Sequence, residues 1–272
     1  MLSRRFRSAL PAALALCAAS LAACASQPST PKGDAASSAD ATNNDPLESV
    51  NRGIWDFDLA LKDYLLTPIA KGYRWATPQF VQTGISNVLR NLRSPTILMN
   101  DVLQGNMDRA GDTFARIWLN TIIGVGGIFD VGTSANVPFH DTDFGATLGS
   151  WGVPAGPYLV LPLIGPSDPR DGVGYGVDSL ADPFTIKMRA ANMDEGNYVR
   201  FGVSVVNEEA QTLDEFNELR RSSLDFYAAV RSLYQQKRAA DVQKAKSPDA
   251  PAAPSVPYDE VDTPANNPPP AH

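Results

Sequence analysis

The sequence predicts an all-α body that forms a single helical domain. In several windows apolar residues recur at intervals of three and four, which is the spacing of an amphipathic helix. The strict alternation that marks half-buried strands is nearly absent. The region that carries these patterns, residues 45–244, has the length of one domain. We therefore expect one helical domain between two segments of different composition.

The N-terminus predicts export and a lipid anchor. Arg4, Arg5 and Arg7 precede a mostly apolar run that is too short to cross a bilayer as a helix. That run ends in Leu21-Ala22-Ala23-Cys24, which resembles the box in which a bacterial lipoprotein cysteine is acylated and becomes the new N-terminus. We expect residues 1–23 to be a lipoprotein signal peptide and Cys24 to be lipidated, the alternative being an ordinary cleaved signal. By analogy with lipoprotein sorting, Ala25 favours the outer membrane over the inner one.

Charge and cysteine content limit the partners and the cross-links. Residues 1–23 hold three arginines and no acidic residue, so their removal changes the formal net charge from −7 to −10. This acidity argues against a nucleic-acid partner. Cys17 leaves with the signal peptide, so the two cysteines of the chain cannot form a disulfide in the mature protein.

The two flanking segments have the composition of disordered chain. Residues 24–44 have no aromatic side chain and no Leu, Ile, Val or Met, and residues 245–272 are rich in Pro and Ala. We expect the first to be a lipidated flexible tether and the second a disordered tail.

The helices of the body are predicted from stripes and stop signals. One stripe from Phe80 to Leu92 starts near Thr77-Pro78, and Ser94 is expected to cap a separate helix from Pro95 to about Gln104. In Met107–Ile123 the apolar face is expected to be buried, with these residues on it: Ala110, Phe114, Ile117, Trp118, Thr121 and Ile122.

Two further helices are predicted near the C-terminus. One should run from Tyr198 to Leu219. Ser222 and Asp225 have the spacing of a capping box for a long amphipathic helix that ends near Val242.

The middle of the chain, from Gly124 to Gly176, is dense in glycine and proline and yet strongly apolar. Its centre, Gly156 to Pro166, is too short to span a membrane. This composition fits a two-stranded hairpin or an irregular loop packed on the helices. It also fits an apolar surface that faces acyl chains.

The residue types and motifs give little support for an enzymatic site. The only histidines are His140 and His272, so a histidine-rich metal site is excluded, and we expect no metal or cofactor. Asn136 replaces the last glycine of a nucleophile elbow, and the sequence has no phosphate-binding loop of the Gly-x-x-x-x-Gly-Lys type. We expect a protein that is not an enzyme.

A set of ordered motifs resembles the VacJ/MlaA family of outer-membrane lipoproteins. The opening motif is Asp45-Pro-Leu-Glu-Ser-Val-Asn-Arg52, followed by Phe57. Further matching blocks follow in order: Gly84-Ile85-Ser86-Asn87, Leu103-Gln104-Gly105, Gly127-Ile128-Phe129-Asp130-Val131, Phe144-Gly145-Ala146-Thr147-Leu148-Gly149 and Gly156-Pro157-Tyr158. The resemblance is dense from Asp45 to Asp182 and loose over the last two helices.

This resemblance implies a fold, a cellular location and a function. It implies a ring of helices in the periplasmic leaflet of the outer membrane, with a polar channel through the ring, beside trimeric porins. Mislocalised phospholipid of the outer leaflet would pass through that channel to a periplasmic phospholipid-carrier protein, which maintains lipid asymmetry. A polar path suits the charged headgroup, while the tails need hydrocarbon or apolar side chains.

The resemblance also suggests site residues. The segment Asp56-Phe57 aligns with a part of the family associated with channel opening, although Asp56 stands where Asn is frequent. Asp58, expected to face water or the channel mouth, is a further channel or gating candidate. The flexible hairpin loop that the family places across the ring would be formed by these residues: Gly145, Gly149, Gly152, Pro154, Gly156, Pro157, Tyr158, Pro162 and Gly165.

The alternative is a structural lipoprotein that scaffolds porins or envelope machinery without moving lipid. A scaffold should have a polar surface, whereas a lipid conduit should have a broad apolar belt. The tryptophans at positions 55, 75, 118 and 151 could anchor at a membrane interface or could all lie in the core.

Overall fold

The computed structural model describes residues 45–247. The predicted signal peptide, Cys24, the tether, the end of the tail and His272 lie outside the described residues. Within this range no helix is long and apolar enough to cross a membrane.

The described chain is mainly helical, which confirms the predicted class. The helices are α1 (Glu48–Leu61), α2 (Thr67–Ala76), α3 (Gln79–Leu103), α4 (Met107–Trp118), α5 (Val131–Ser134), α6 (Phe144–Ser150), α7 (Pro169–Ala181), α8 (Pro183–Ala190), α9 (Glu195–Ser222) and α10 (Phe226–Lys246). Two π-helical segments, Lys62–Leu66 and Leu119–Ile123, follow α1 and α4 directly. The strands β1 (Leu159–Leu161) and β2 (Gly165–Ser167) pair antiparallel, with Val160 opposite Pro166. The hairpin interpretation of the Gly/Pro-rich centre is therefore confirmed.

The elements close into a circuit of neighbours. Helix α1 packs on β1, β2 packs on α10, and α10 packs on α6. Helix α6 then contacts α3, α3 contacts α9, and α9 contacts α2, which returns to α1 through the first π-helical segment. This circuit is what a ring-like arrangement of helices requires.

A small aromatic core ties α1, the hairpin, α9 and α10 together. Trp55, Tyr158, Phe216 and Tyr227 are buried in it, with rings in edge or tilted contact, as between Tyr158 and Tyr227 at 6.0 Å. Such aromatic pairs contribute about 1 kcal/mol beyond the area they bury. The core therefore fixes the hairpin against one side of the circuit.

Two predicted helix boundaries are wrong. Residues 79–103 form one helix with Pro95 inside it, because the Ser94 hydroxyl turns back to donate to the carbonyl of Arg90 at 3.0 Å and caps nothing. Ser222 likewise ends α9, and Asp225 alone caps α10 by accepting from the Ala228 amide at 3.1 Å. The helices around these points are otherwise near their predicted places.

Candidate functional site

The apolar face of α4 and of the π-helical segment after it is exposed. Phe114, Trp118 and Ile122 are 54%, 56% and 64% exposed, although the sequence predicted a buried face. The prediction was wrong because periodicity identifies an apolar face without identifying what covers it. Of the predicted stripe, Ala110 is buried.

The opposite, polar face of the same segment is the buried one. Arg109, Thr113, Arg116 and Asn120 are all buried. Arg116 donates to both carboxylate oxygens of Asp130 at 2.8 Å. Buried charges are stable only when they are paired, so this buried polar face depends on its ion pairs and hydrogen bonds with neighbouring residues.

Asp130 receives several hydrogen bonds that favour its charged form. Burial alone would raise its pKa, but hydrogen bonds from Thr133 and the charge of Arg116 lower the pKa below the usual range. Asn120 also donates to Asp130, at 3.2 Å. At this point the interior holds an ion pair between the buried Arg116 and the carboxylate of Asp130.

The same inversion extends over other helices. Among the tryptophans, Trp55 is buried, whereas Trp75, Trp118 and Trp151 are 90%, 56% and 55% exposed. Within residues 45–247, large apolar side chains are exposed on most elements, and we call this set of exposed side chains the apolar belt: Phe57, Tyr64, Leu65, Ile69, Trp75, Phe80, Phe114, Trp118, Ile122, Ile123, Phe129, Trp151, Leu163, Ile164, Leu180, Ile186, Tyr198, Val199 and Phe201. An exposed apolar surface of this extent marks an interaction with lipid or protein.

Largely buried ion pairs join several helices of the circuit. Arg238 of α10 binds Asp143 at 2.8 Å and also binds Asp171. Burial alone would raise the pKa of Asp143, but Arg238 lowers this pKa to about 2. Lys62 binds Glu209 at 2.7 Å, and both side chains are largely buried. The interior is therefore polar where an ordinary helical domain would be apolar.

The structure brings the predicted opening segment and the hairpin together. Asp56 and Phe57 of α1 are exposed, Phe57 by 56%. Asp58 reaches the hairpin, since its Oδ1 accepts from the amide of Leu163 at 2.9 Å, at the hairpin tip. Burial raises the pKa of Asp58, and the Leu163 amide partly offsets that rise.

A second contact between α1 and the hairpin involves Asn51, which sequence reasoning did not single out. Asn51 is 1% exposed. Its amide donates to the carbonyl of Tyr158 and accepts from the amide of Val160, both at 3.0 Å. The signal available in the sequence was its place in the opening motif, between apolar residues of an amphipathic helix.

The predicted hairpin residues divide into three places. Gly145 and Gly149 do not belong to the hairpin but to α6, so that part of the prediction was wrong. They are needed for packing, because a Cβ on Gly149 would stand 2.5 Å from Val242 of α10. The connection from α6 to β1 contains Gly152, Pro154, Gly156, Pro157 and Tyr158, and the hairpin turn and its flanks contain Pro162 and Gly165.

Residues 45–247 contain no cluster of three or more side chains that could bind a metal ion. His140, the histidine of this range, binds Asp112 at 2.8 Å instead. What the arrangement offers is a polar interior, an apolar exterior and a hairpin held by two side chains of α1.

Comparison with known proteins agrees with this arrangement. The sequence profile of a family described as MlaA lipoprotein matches residues 43–241. The intermembrane phospholipid transport system lipoprotein MlaA of Escherichia coli (strain K12) is 36% identical over 231 residues, covering 83% of this chain and 85% of that protein. The protein of the same description from Haemophilus influenzae is 33% identical over 205 residues, covering 71% and 77%.

A solved structure is also similar. It comes from work on the structural basis for maintenance of bacterial outer membrane lipid asymmetry, and it superposes with a TM-score of 0.64 at 35% identity. The match covers 73% of this chain and 98% of that one. From the matched profile, the relatives and the shared fold, we conclude that this chain belongs to the MlaA lipoprotein family.

Proposed function

We propose that this protein removes mislocalised phospholipid from the outer leaflet of the outer membrane through its polar interior and passes it to a periplasmic phospholipid-carrier protein. The observation that carries the proposal is the inverted polarity of α4. Its apolar residues Phe114 and Trp118 are exposed while Arg109 and Arg116 are buried. Relatives described as phospholipid transport lipoproteins support the same task.

The inversion suits the two chemistries of a phospholipid. A charged headgroup cannot cross hydrocarbon without a large desolvation penalty, and a polar interior reduces that penalty. The apolar belt would keep the protein in the acyl-chain region of the periplasmic leaflet. The body would thus open a polar path without needing a membrane-spanning helix.

In this proposal the hairpin acts as the gate. Asn51 and Asp58 lie two turns apart on α1 and hold the base and the tip of the hairpin, respectively. Phe57 lies between them and is exposed. A movement of α1 would therefore move the hairpin through Asn51 and Asp58, and Asp56 and Phe57, on the same helix, would influence that movement.

The remaining parts of the proposal concern place and partners. Cys24 would carry the lipid anchor at the periplasmic face of the outer membrane, and trimeric porins would contact part of the apolar belt. The protein would act as a passive conduit and would catalyse no reaction, so any energy input must come from another component.

The test is outer-leaflet phospholipid in cells that lack the protein, complemented by wild type, by Cys24→Ala and by a chain without residues 156–165. Accumulation that only the wild type reverses is the expected result. Unchanged outer-leaflet phospholipid together with altered porin assembly or envelope shape would replace the conduit with the scaffold. The apolar belt favours the conduit, since a scaffold held on a tether needs no such surface.

A further inference from the structure

Asp45, just before α1, is a buried carboxylate that binds two other parts of the chain. Its side chain is 2% exposed. Its Oδ1 accepts from the carboxamide of Asn51 in α1 at 2.7 Å. Its Oδ2 accepts from the Tyr227 hydroxyl and from the Arg231 guanidinium, both of α10, the latter at 3.0 Å. Each oxygen of the carboxylate therefore has a defined partner, and Asp45 joins α1 to α10.

Asn51 can hold the hairpin in only one of its two carboxamide orientations. In that orientation its Nδ2 donates to the carbonyl of Tyr158 and its Oδ1 accepts from the amide of Val160. A half-turn of the carboxamide would place an acceptor against the Tyr158 carbonyl and a donor against the Val160 amide. Because Asn51 is buried, water could not replace the two lost hydrogen bonds.

The carboxylate of Asp45 selects the orientation that fits the hairpin. The Nδ2 of an asparagine carries two N–H donors, and in Asn51 one is directed at Asp45 and the other at Tyr158. After a half-turn, the oxygen of Asn51 would face an oxygen of Asp45 with no hydrogen between them. Hydrogen bonds to a charged acceptor are about twice as strong as neutral ones, so this preference is a strong one.

We propose that Asp45 is a positioning residue of the hairpin gate, which acts by fixing the carboxamide of Asn51 and thereby the base of the hairpin on α1. The inference rests on the proposed function, in which the hairpin controls the passage of phospholipid. The α10 side of the network supports it, because Tyr227 binds Asp45 through its hydroxyl and packs edge-on against the ring of Tyr158 at 6.0 Å. Burial and the bond to Asp45 raise the pKa of Tyr227, so its hydroxyl keeps the proton that it donates.

Hydrogen exchange of the Val160 amide, measured by NMR on the full mature lipoprotein in detergent micelles, tests the proposal. Asp45→Asn keeps the size of the side chain but turns its Nδ2 toward a donor, either that of Asn51 or that of Arg231. We expect exchange at Val160 to accelerate by about tenfold, the cost of one weakened hydrogen bond in a buried network.

Asp225→Asn is the matched control. Asp225 also joins α10 to α1, through Arg52 at 2.6 Å, and both side chains are partly exposed. Asparagine caps a helix as well as aspartate does, so the start of α10 is preserved. We expect this variant to change exchange at Val160 by less than about twofold.

A double variant distinguishes positioning from a general contribution to the fold. If Asp45 acts through Asn51, adding Asp45→Asn to Asn51→Ala should accelerate exchange at Val160 by no more than about a further twofold. A further tenfold acceleration would overturn the proposal. Unchanged exchange in Asp45→Asn, or equal acceleration by Asp225→Asn, would overturn it as well. So would equal acceleration in Asp45→Asn of the amide of Ile97, buried in α3, because the whole fold would then have been weakened.

Complementation of cells that lack the protein connects the position of the hairpin with lipid. Asp45→Asn should leave outer-leaflet phospholipid above the level that wild type and Asp225→Asn restore, and full restoration by Asp45→Asn would remove its role in the gate. If the absence of the whole protein leaves outer-leaflet phospholipid unchanged, the proposed function fails. The exchange measurements still decide in that case whether Asp45 positions the hairpin.

Discussion

Replacing Trp118 by Ala should weaken the affinity of the protein for membranes much more than it weakens the fold. The side chain is 56% exposed. For an aromatic side chain of roughly 200 Å², about 110 Å² then remains to be buried in lipid. At about 25 cal/mol per Å² this area contributes roughly 3 kcal/mol, or about a hundredfold in the partition coefficient.

The assay is flotation of the full chain with vesicles of phosphatidylethanolamine and phosphatidylglycerol. The background is Cys24→Ala, so that an acyl anchor contributes nothing. The matched control is Trp55→Phe, since Trp55 is 6% exposed and packs on Phe226 with ring centroids 5.5 Å apart. That control should lower the free energy of unfolding by about 2 kcal/mol and leave flotation of the folded protein unchanged.

The reasoning would be refuted by a Trp118→Ala chain that floats like the parent. It would also fail if the parent did not float at all, because the apolar belt would then be covered by something other than lipid. Equal loss of flotation in a folded Trp55→Phe chain would mean that flotation reports on the fold and not on the belt.

Three further outcomes follow from the contacts. Asn51→Ala should lower the free energy of unfolding, measured in urea, by about 3 kcal/mol, because it leaves buried backbone groups of the hairpin without hydrogen-bond partners. The control Asn87→Ala removes one exposed hydrogen bond and should lower it by less than about 1 kcal/mol. Similar losses in the two variants would contradict the role of Asn51 in holding the hairpin. The depressed pKa of Asp143, about 2, means that its charge stabilises the fold above the unfolded pKa near 4 and that this contribution, about 2 kcal/mol, is lost as pH falls from about 4 to 2. Urea unfolding at pH 5 and pH 2.5 measures it, and Asp143→Asn should remove that part of the pH dependence. Asp58→Ala should accelerate hydrogen exchange of the Leu163 amide by about tenfold, and unchanged exchange would mean that the tip is held elsewhere.

The sequence predicted the helices well because local signals specify them. The stripe from Phe80 to Leu92 lies in α3, and the long C-terminal helices stand where the pattern placed them. Boundaries failed where a side chain had two local choices. The Ser94 hydroxyl could cap forward or bond backward, and only the packed helix decides between these two conformations.

The candidate site was harder to predict, because its residues meet only in three dimensions. Asp58 and Leu163 are 105 positions apart, and Arg238 and Asp143 are 95 apart. The exposure of Phe114 could not be predicted from periodicity either, because the pattern is the same whether the apolar face meets protein or lipid. The burial of Arg116 and Asn120, one turn apart on the opposite face, is visible only in the structure, because the same spacing occurs on surface helices that leave both residues in water.

The inverted polarity of α4 has a consequence for biogenesis. An exported chain must cross the aqueous periplasm before it reaches lipid, and during that passage Trp118, Phe114 and Ile122 would face water. Mutual adhesion of such surfaces is the usual route to aggregation. Outside a membrane the folded protein is therefore expected to self-associate unless these side chains are shielded, so the same surface that suits a lipid environment makes the journey to it hazardous.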